Sequence, residues 1–463
     1  MVVGRLRDGR QRVKSGSLYI TGGHIIDPFR GIDMVGDVLI REGNLEWVGE
    51  NGLGMCPDGC QVFSAKGLVV SPGFIDLHCH LRDPGFEEKE TIATGTEAAA
   101  RGGFTAVCCM PNTSPPIDSP DTMTYLRNKV RLEARVRVFP IGCVSEGQRG
   151  EKLTDMASLA ESGVVGFSDD GRPVVDSDLM RRALERSRLL DLPVMDHCED
   201  LTLTTGGVMN EGPSAAELRL KGMPAAAEES VVERDIELAM LTGARIHITH
   251  VSTAGSVEII RRGKEAGVRV TAEATPHHLT LTEESVSKCG TDAKVNPPLR
   301  TAKDVEALVQ GVKDGVIDAI ATDHAPHALG DKAGDFNSAA FGISGLETAL
   351  PVLLSLVHEG QLELSTVIAR LTSGPAMVLR RVAGMSVLSG YPVPEGLGML
   401  RAGSPGDLVL FNPDFAWVVD PGRFASKGRN TPWAGRLLRG KVMATVVGGE
   451  VVYRDDSVEM RGK

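Results

Sequence analysis

Aromatic residues are scarce in this sequence, at only 4 % of 463 positions. That argues against an aromatic-lined binding module, and the 54 glycines point instead to many tight turns and closely packed backbone. No run of 18 or more apolar residues offers a membrane span, and the start Met1-Val2-Val3-Gly4-Arg5 leads into a basic, polar segment without a signal-peptide core. Positive charge is not in excess either. A net charge of -11 and a pI near 5.6 disfavour a nucleic-acid binder and fit a protein that handles small molecules. The eight cysteines lack the regular spacing of a secreted disulfide framework, so a reducing cytoplasm is expected, with neither nucleic acid nor membrane as partner. Cys79 and Cys198 are expected to pack in the core.

What the sequence does contain is two kinds of pattern. Short β-like runs punctuated by turn residues occupy 18–72 and return in 385–455, which predicts one small β-sandwich domain assembled from both ends of the chain, preceded by a loose arm over 1–17. Between them, over 73–384, strand-like and helix-like segments alternate. Eight strands are expected, ending near His80, Cys109, Gly142, Phe167, His197, His250, Glu273 and Ala321. Pro140 is expected to stop or bulge the third ladder. This alternation predicts an α/β fold, a (β/α)8 barrel. An open doubly wound sheet is the competing architecture, but its Gly-x-Gly-x-x-Gly fingerprint after the first strand is missing.

In a barrel the C-terminal strand ends surround one site, so polar residues distant in sequence meet there. Strand one ends in His78 and His80, strand four runs into Asp169 and Asp170, strand five into His197, strand six into His250, and strand eight into Asp323, His324 and His327. Counting His277 and His278 after strand seven, eight of the 11 histidines lie in such stretches. Imidazole and carboxylate suit a borderline ion such as zinc, and a carboxylate can bridge two ions. Hydrolysis by a metal-activated water is the implied chemistry. Asp323 either carries the proton from water to a leaving nitrogen or only binds metal. One of Asp169 and Asp170 is expected to bridge, the other to cap a helix or make a supporting hydrogen bond. Arg82 can clamp a carboxylate bidentately or form a plain salt bridge. Asn112 and Asn296 can bond substrate or close turns. The glycine-rich stretch 329–336 reads as a lid or as an ordinary surface loop.

Several stretches in order resemble the dihydroorotase family, bacterial class I type, within the amidohydrolase superfamily. They are Pro72-Gly73-Phe74-Ile75-Asp76-Leu77-His78-Cys79-His80-Leu81-Arg82-Asp83-Pro84-Gly85, Met110-Pro111-Asn112-Thr113, Ser168-Asp169-Asp170-Gly171, His250-Val251-Ser252-Thr253-Ala254 and Ala321-Thr322-Asp323-His324-Ala325-Pro326-His327. The resemblance implies a zinc-dependent barrel that reversibly closes N-carbamoyl-L-aspartate to L-dihydroorotate in pyrimidine synthesis. By the same resemblance, His78, His80 and Asp323 hold one metal, His197 and His250 a second, and Asp170 bridges. Arg82 and Asn112 then grip the substrate carboxylate, and Asn296, His327 and the backbone of Phe341 and Gly342 complete the pocket. One or two zinc ions are expected, with the binuclear site favoured. Expected partners are a second copy of the chain and aspartate carbamoyltransferase. Cys79 stands where the family often has Val, and Asp83 where Glu is common. Hydantoinases and allantoinases bridge their metals with a modified lysine at strand four, where this sequence offers aspartates. The remaining alternatives are a hydantoinase-like enzyme and a structural partner of the carbamoyltransferase.

Overall fold

The computed structural model describes residues 16–50, 52–381, 392–458 and 460–462. The expected arm falls almost wholly outside these residues, as does the expected junction at 384 and 385. The first strands, β1 (Leu18–Asp27), β2 (Ile32–Arg41), β3 (Asn44–Gly49), β4 (Gln61–Ser64) and β5 (Val69–Pro72), are rich in the β-branched and apolar residues that favour strands, and β1, β2 and β5 carry runs of buried positions. β1 is the branch point. Its first half pairs in parallel with β4 and its second half with β5, while β2 runs antiparallel along its other side.

The barrel begins one residue after β5. Its first three strands are β6 (Phe74–Cys79), β7 (Phe104–Cys109) and β8 (Arg137–Pro140), all parallel, and the third ends at its proline as expected. The fourth strand, expected over 163–167, is reduced to bridges from Phe167 to Gly142 and to Val194. The missing ladder is a matter of length, because Val165 and Phe167 still donate to Pro140 O and Pro193 O. After β9 (Val194–Asp196) the chain makes a two-stranded parallel ribbon, β10 (Met209–Asn210) with β11 (Gly222–Met223), above the strand ends. β12 (Ile246–Ile248), β13 (Val270–Ala274) and β14 (Ala319–Ile320) continue the barrel, and a parallel bridge from His324 to Cys79 closes it.

Its helices start where the sequence offers caps. Thr91 accepts from Thr94 N at the start of Ile92–Arg101, and Thr301 accepts from Asp304 N at the start of Ala302–Asp314. One apolar cluster takes Ile75 and Leu77, Ala106 and Cys108, Phe139, Val165, Met195 and Ala319 from successive strands, and adds Val378 and Leu379 from the helix Ser373–Leu379. The barrel is therefore a packed core, not a pore.

The chain then returns to the first sheet with β15 (Leu408–Val418), β16 (Leu437–Val447), β17 (Glu450–Arg454) and β18 (Met460–Gly462), giving nine strands from both chain ends. One core cluster combines Leu18, Ile20, Val38 and Phe63 from the first limb with Leu408, Leu410 and Val446 from the second. Asp407 fastens this domain to the barrel: its carboxylate takes Arg137 bidentately at 2.7 and 3.0 Å and also Gly448 N at 2.7 Å. Cys79 and Cys198 lie in the layer between strands and helices, as expected of core residues.

Candidate metal centre

The strand ends bring six buried side chains together at the barrel mouth. Asp323 Oδ1 lies 3.1 Å from His80 Nε2 and 3.5 Å from His78 Nε2. Asp170 is the hub of the rest. Its Oδ1 is 3.3 Å from His78 Nε2 and 3.5 Å from both His197 Nδ1 and His250 Nε2, while its Oδ2 is 3.5 Å from His80 Nε2. His78, His80 and Asp323 form one compact donor group, and His78, Asp170 and His250 form another.

These donors fit a metal on physical grounds. His78 Nε2 and Asp170 Oδ1, which face each other at 3.3 Å, are buried without a hydrogen-bond partner, a costly state for polar atoms unless a ligand completes them. The backbone is strained at the same place, since His250 and Asp323 hold φ of 30° and 45° and Arg82 holds 62°. Such conformations cost on the order of 1–3 kcal/mol each and persist where the surrounding structure enforces them. Electrostatics agree. Burial raises the pKa of Asp170 and Asp323, but the surrounding imidazoles outweigh it and hold both carboxyls below the usual range. Burial lowers that of His197, yet Asp170 and Glu199 bring it up to about 10.

Supporting groups fix which nitrogen faces the centre. His80 Nδ1 donates to Asn112 Oδ1 at 2.9 Å, and His78 Nδ1 to Glu273 Oε1 at 2.9 Å, so each turns its Nε2 lone pair inward. Glu273 also faces His247 Nε2 at 3.1 Å. Asp169 is not in the cluster. It accepts from Val144 N, Ser145 N and the Ser145 hydroxyl, tying the third strand's loop to the fourth. That is the supporting role left open for one of the two aspartates.

The remaining expected residues lie around the rim. Arg82 is anchored by its Nε to Pro326 O at 3.4 Å. Asn296 Nδ2 donates to Glu199 Oε2 at 2.8 Å, and Glu199 in turn faces His197 Nε2 at 2.9 Å. His327 Nε2 donates to Phe341 O at 2.7 Å, and a side chain on Gly342, whose φ is 140°, would strike Ala325. His277 and His278 are buried on the helix Pro276–Thr280, with His278 Nε2 donating to Pro297 O at 3.0 Å. The 329–336 stretch forms a short helix, Leu329–Lys332, whose last residue points inward. Lys332 Nζ donates to Ala340 O and Gly342 O, at 2.8 and 3.0 Å.

Sequence reasoning missed Glu199 and Glu273. The second left a trace, a carboxylate inside the otherwise small and apolar Thr271-Ala272-Glu273-Ala274. It is fully buried, and the two histidines it faces hold it down at about 2 against the opposing effect of burial.

Comparison with known proteins identifies the family. A family model described as dihydro-orotase-like matches residues 67–256. The chain is 49 % identical over 440 residues to a dihydroorotase of Geobacter sp. strain M21, covering 95 % of this chain and 99 % of that one. It is 49 % identical over 439 residues to a dihydroorotase of Pelotomaculum thermopropionicum, with coverage of 95 % and 99 %. Among solved structures, an L-hydantoinase from Arthrobacter aurescens superposes with a TM-score of 0.83 over 96 % of this chain and 98 % of that one, at 24 % identity. A dihydropyrimidinase from Brevibacillus agri gives 0.80 over 96 % of each chain, at 22 % identity. At such identities these two establish the barrel with its β-rich domain, as the sequence predicted, and nothing further. The near-full-length likeness to the first two, together with the donor set at the strand ends, makes the conclusion plain: the chain belongs to the dihydroorotase family.

Proposed function

We propose that the barrel mouth reversibly closes N-carbamoyl-L-aspartate to L-dihydroorotate, with zinc held in a binuclear site by His78, His80, Asp170, His197, His250 and Asp323. The chain is a cyclic amide hydrolase of pyrimidine synthesis. The observation that carries the site assignment is the pair of buried, unpaired donor atoms on His78 and Asp170, close enough to Arg82 for the charges of Asp323 and Asp170 to act on its guanidinium. Bound zinc supplies acidity, making water a nucleophile at neutral pH and polarising the carbonyl under attack.

The protein's own residues do the rest. In the hydrolytic direction the C–N bond of the ring breaks. Asp323, already held as a carboxylate, takes the proton of the attacking water and returns it to the departing nitrogen. In the synthetic direction the ureido nitrogen forms the C–N bond to the side-chain carboxyl carbon, and the same carboxylate takes its proton and returns it to the departing hydroxyl, which leaves as water. The Nη atoms of Arg82 grip the substrate's free carboxylate, and Asn112 supports that grip while fixing His80. Asn296, His327 and the backbone at Phe341 and Gly342 line the remaining wall.

A carboxylate-reading arginine and an aspartate at strand four favour dihydroorotate over a neutral hydantoin. A panel of both substrates, with metal content measured on the same preparation, tests this. Dihydroorotate turnover is expected, abolished by chelation and restored by zinc; turnover of hydantoins alone would sink the proposal. The complete donor set also speaks for a working enzyme over a mere scaffold. We place it in the cytoplasm, supported by eight cysteines that form no disulfide; no helix among the described residues is long and apolar enough to cross a membrane. Self-association and a complex with aspartate carbamoyltransferase are tested together, by comparing mass and activity of the isolated chain with those of the mixed proteins.

A further inference from the structure

Between Ala325 and Ser344 the chain leaves the eighth strand end, passes through the Leu329–Lys332 helix and returns to the rim. Both ends of this excursion are tied by one side chain that belongs to neither. Asn430 reaches in from the C-terminal segment and is buried. Its Oδ1 accepts from His327 N at 3.2 Å and Ser344 Oγ at 2.9 Å, and its Nδ2 donates to Ala325 O at 3.0 Å and Gly342 O at 2.9 Å. Two donors and two acceptors are thus all engaged, two on the outgoing limb and two on the returning one. The Asn430 carbonyl adds a fifth tie, to Ser344 N at 2.8 Å.

The returning limb carries further support. Lys332 Nζ donates to the same Gly342 carbonyl, and buried Lys294 donates to the carbonyls of Phe336, Asn337 and Ala339 at 2.7, 3.0 and 2.6 Å. Its ammonium also sits 4.4 Å from the Phe341 ring centroid. Two ammonium groups bound to backbone carbonyls, in place of carboxylates, fix the course of a loop and not the charge of a surface.

We propose that Asn430, backed by Lys332 at Gly342, is a positioning residue for substrate binding: it sets the separation between His327 and the Phe341 and Gly342 backbone, and so the width of the pocket wall they form. This rests on the functional reading above, in which those residues touch substrate. The Asn430 side chain bonds His327, Ser344, Ala325 and Gly342 and none of the six metal donors, so its removal should be felt in KM and not in metal content.

The test uses the full chain with Asn430→Asp and, separately, Lys332→Met. Asn430→Asp keeps shape and both acceptor bonds but turns an oxygen toward Ala325 O and Gly342 O. The expected result is a KM for dihydroorotate raised about tenfold or more, kcat within about threefold, and metal equivalents unchanged. Lys332→Met, which leaves Asn430 in place, should raise KM about three- to fivefold in the same pattern, and it reads the proposal if the aspartate variant does not fold. Unchanged KM in the variants that fold, or loss of metal in proportion to loss of rate, overturns it. Inactivity of the unsubstituted enzyme in the same assay would overturn the functional reading itself.

Discussion

Two buried carboxylates, one in the composite sheet and one at the barrel mouth, show how differently this chain treats the same group. Asp37 accepts from Tyr19 OH at 2.6 Å, Thr21 Oγ1 at 2.8 Å, Gly22 N at 2.8 Å and Gly52 N at 3.1 Å. Burial opposes its charge, but these four donors win and its pKa falls. Asp170 is more deeply buried, yet it faces imidazole nitrogens at 3.3–3.5 Å and leaves one oxygen unpaired. A closed set of partners holds a fold together, whereas an open one, kept in place by strain and by Asn112 and Glu273 behind the histidines, has donor atoms that could hold a metal ion.

The largest effect expected from this contrast is on catalysis. Asp170→Ala should lower dihydroorotate turnover by at least about a thousandfold, since metal-centred charge stabilisation supplies several kcal/mol and each 1.4 kcal/mol is tenfold. Bound metal should fall in parallel, while thermal stability of the metal-free chain holds. Asp169→Ala should keep most of the metal and lose stability instead, because its carboxylate joins Val144 and Ser145. Full metal and full rate in the Asp170 variant would erase the distinction between the two regions.

Much of the mouth could be read from the sequence for a geometric reason. Parallel strands in a barrel all end at one rim, so a His or Asp just past each apolar run is placed there by the fold alone. His78, His80, Asp170, His197, His250 and Asp323 all obey that rule, and their convergence follows. What stayed hidden follows no strand period. Glu273 lies within its strand, where burial and two histidines give it meaning only in three dimensions. Asn430 comes from beyond the barrel, and nothing in Gly428-Arg429-Asn430-Thr431 announces four bonds to residues 86–105 positions away. The fourth strand was overread, because a run of apolar residues does not say how many ladder bonds it makes.

The complementary experiment sits in the sheet. Asp37→Ala leaves the buried Tyr19 hydroxyl and Gly52 N–H without their acceptor, and should cost about 2–4 kcal/mol of stability with kcat and metal content unchanged. The pH sign follows from a lowered pKa. The contribution is present at neutral pH and is lost as pH falls through the folded value, below 3.8. Denaturant titration at pH 7 and pH 3 measures it; a drop in kcat larger than the drop in folded fraction would mean that the two regions are coupled.

Glu347 gives the smallest effect and the opposite sign, and it lies between the two regions. Its carboxylate accepts from Ala425 N and Ser426 N at 3.1 and 3.2 Å, on the segment that goes on to Asn430. Burial outweighs those bonds and raises its pKa from 4.5 to about 7. An acid whose folded pKa is raised weakens the fold as pH climbs from the unfolded to the folded value. The penalty is absent below about 4.5 and complete above about 7, reaching at most about 3 kcal/mol at 1.36 kcal/mol per unit. Glu347→Gln keeps an acceptor and removes the charge, so its melting temperature should match the parent's at pH 4.5 and exceed it by a few degrees at pH 8. A gap that does not widen with pH would show that Glu347 is already as well satisfied as Asp37, and that the seam between sheet and barrel carries no open charge.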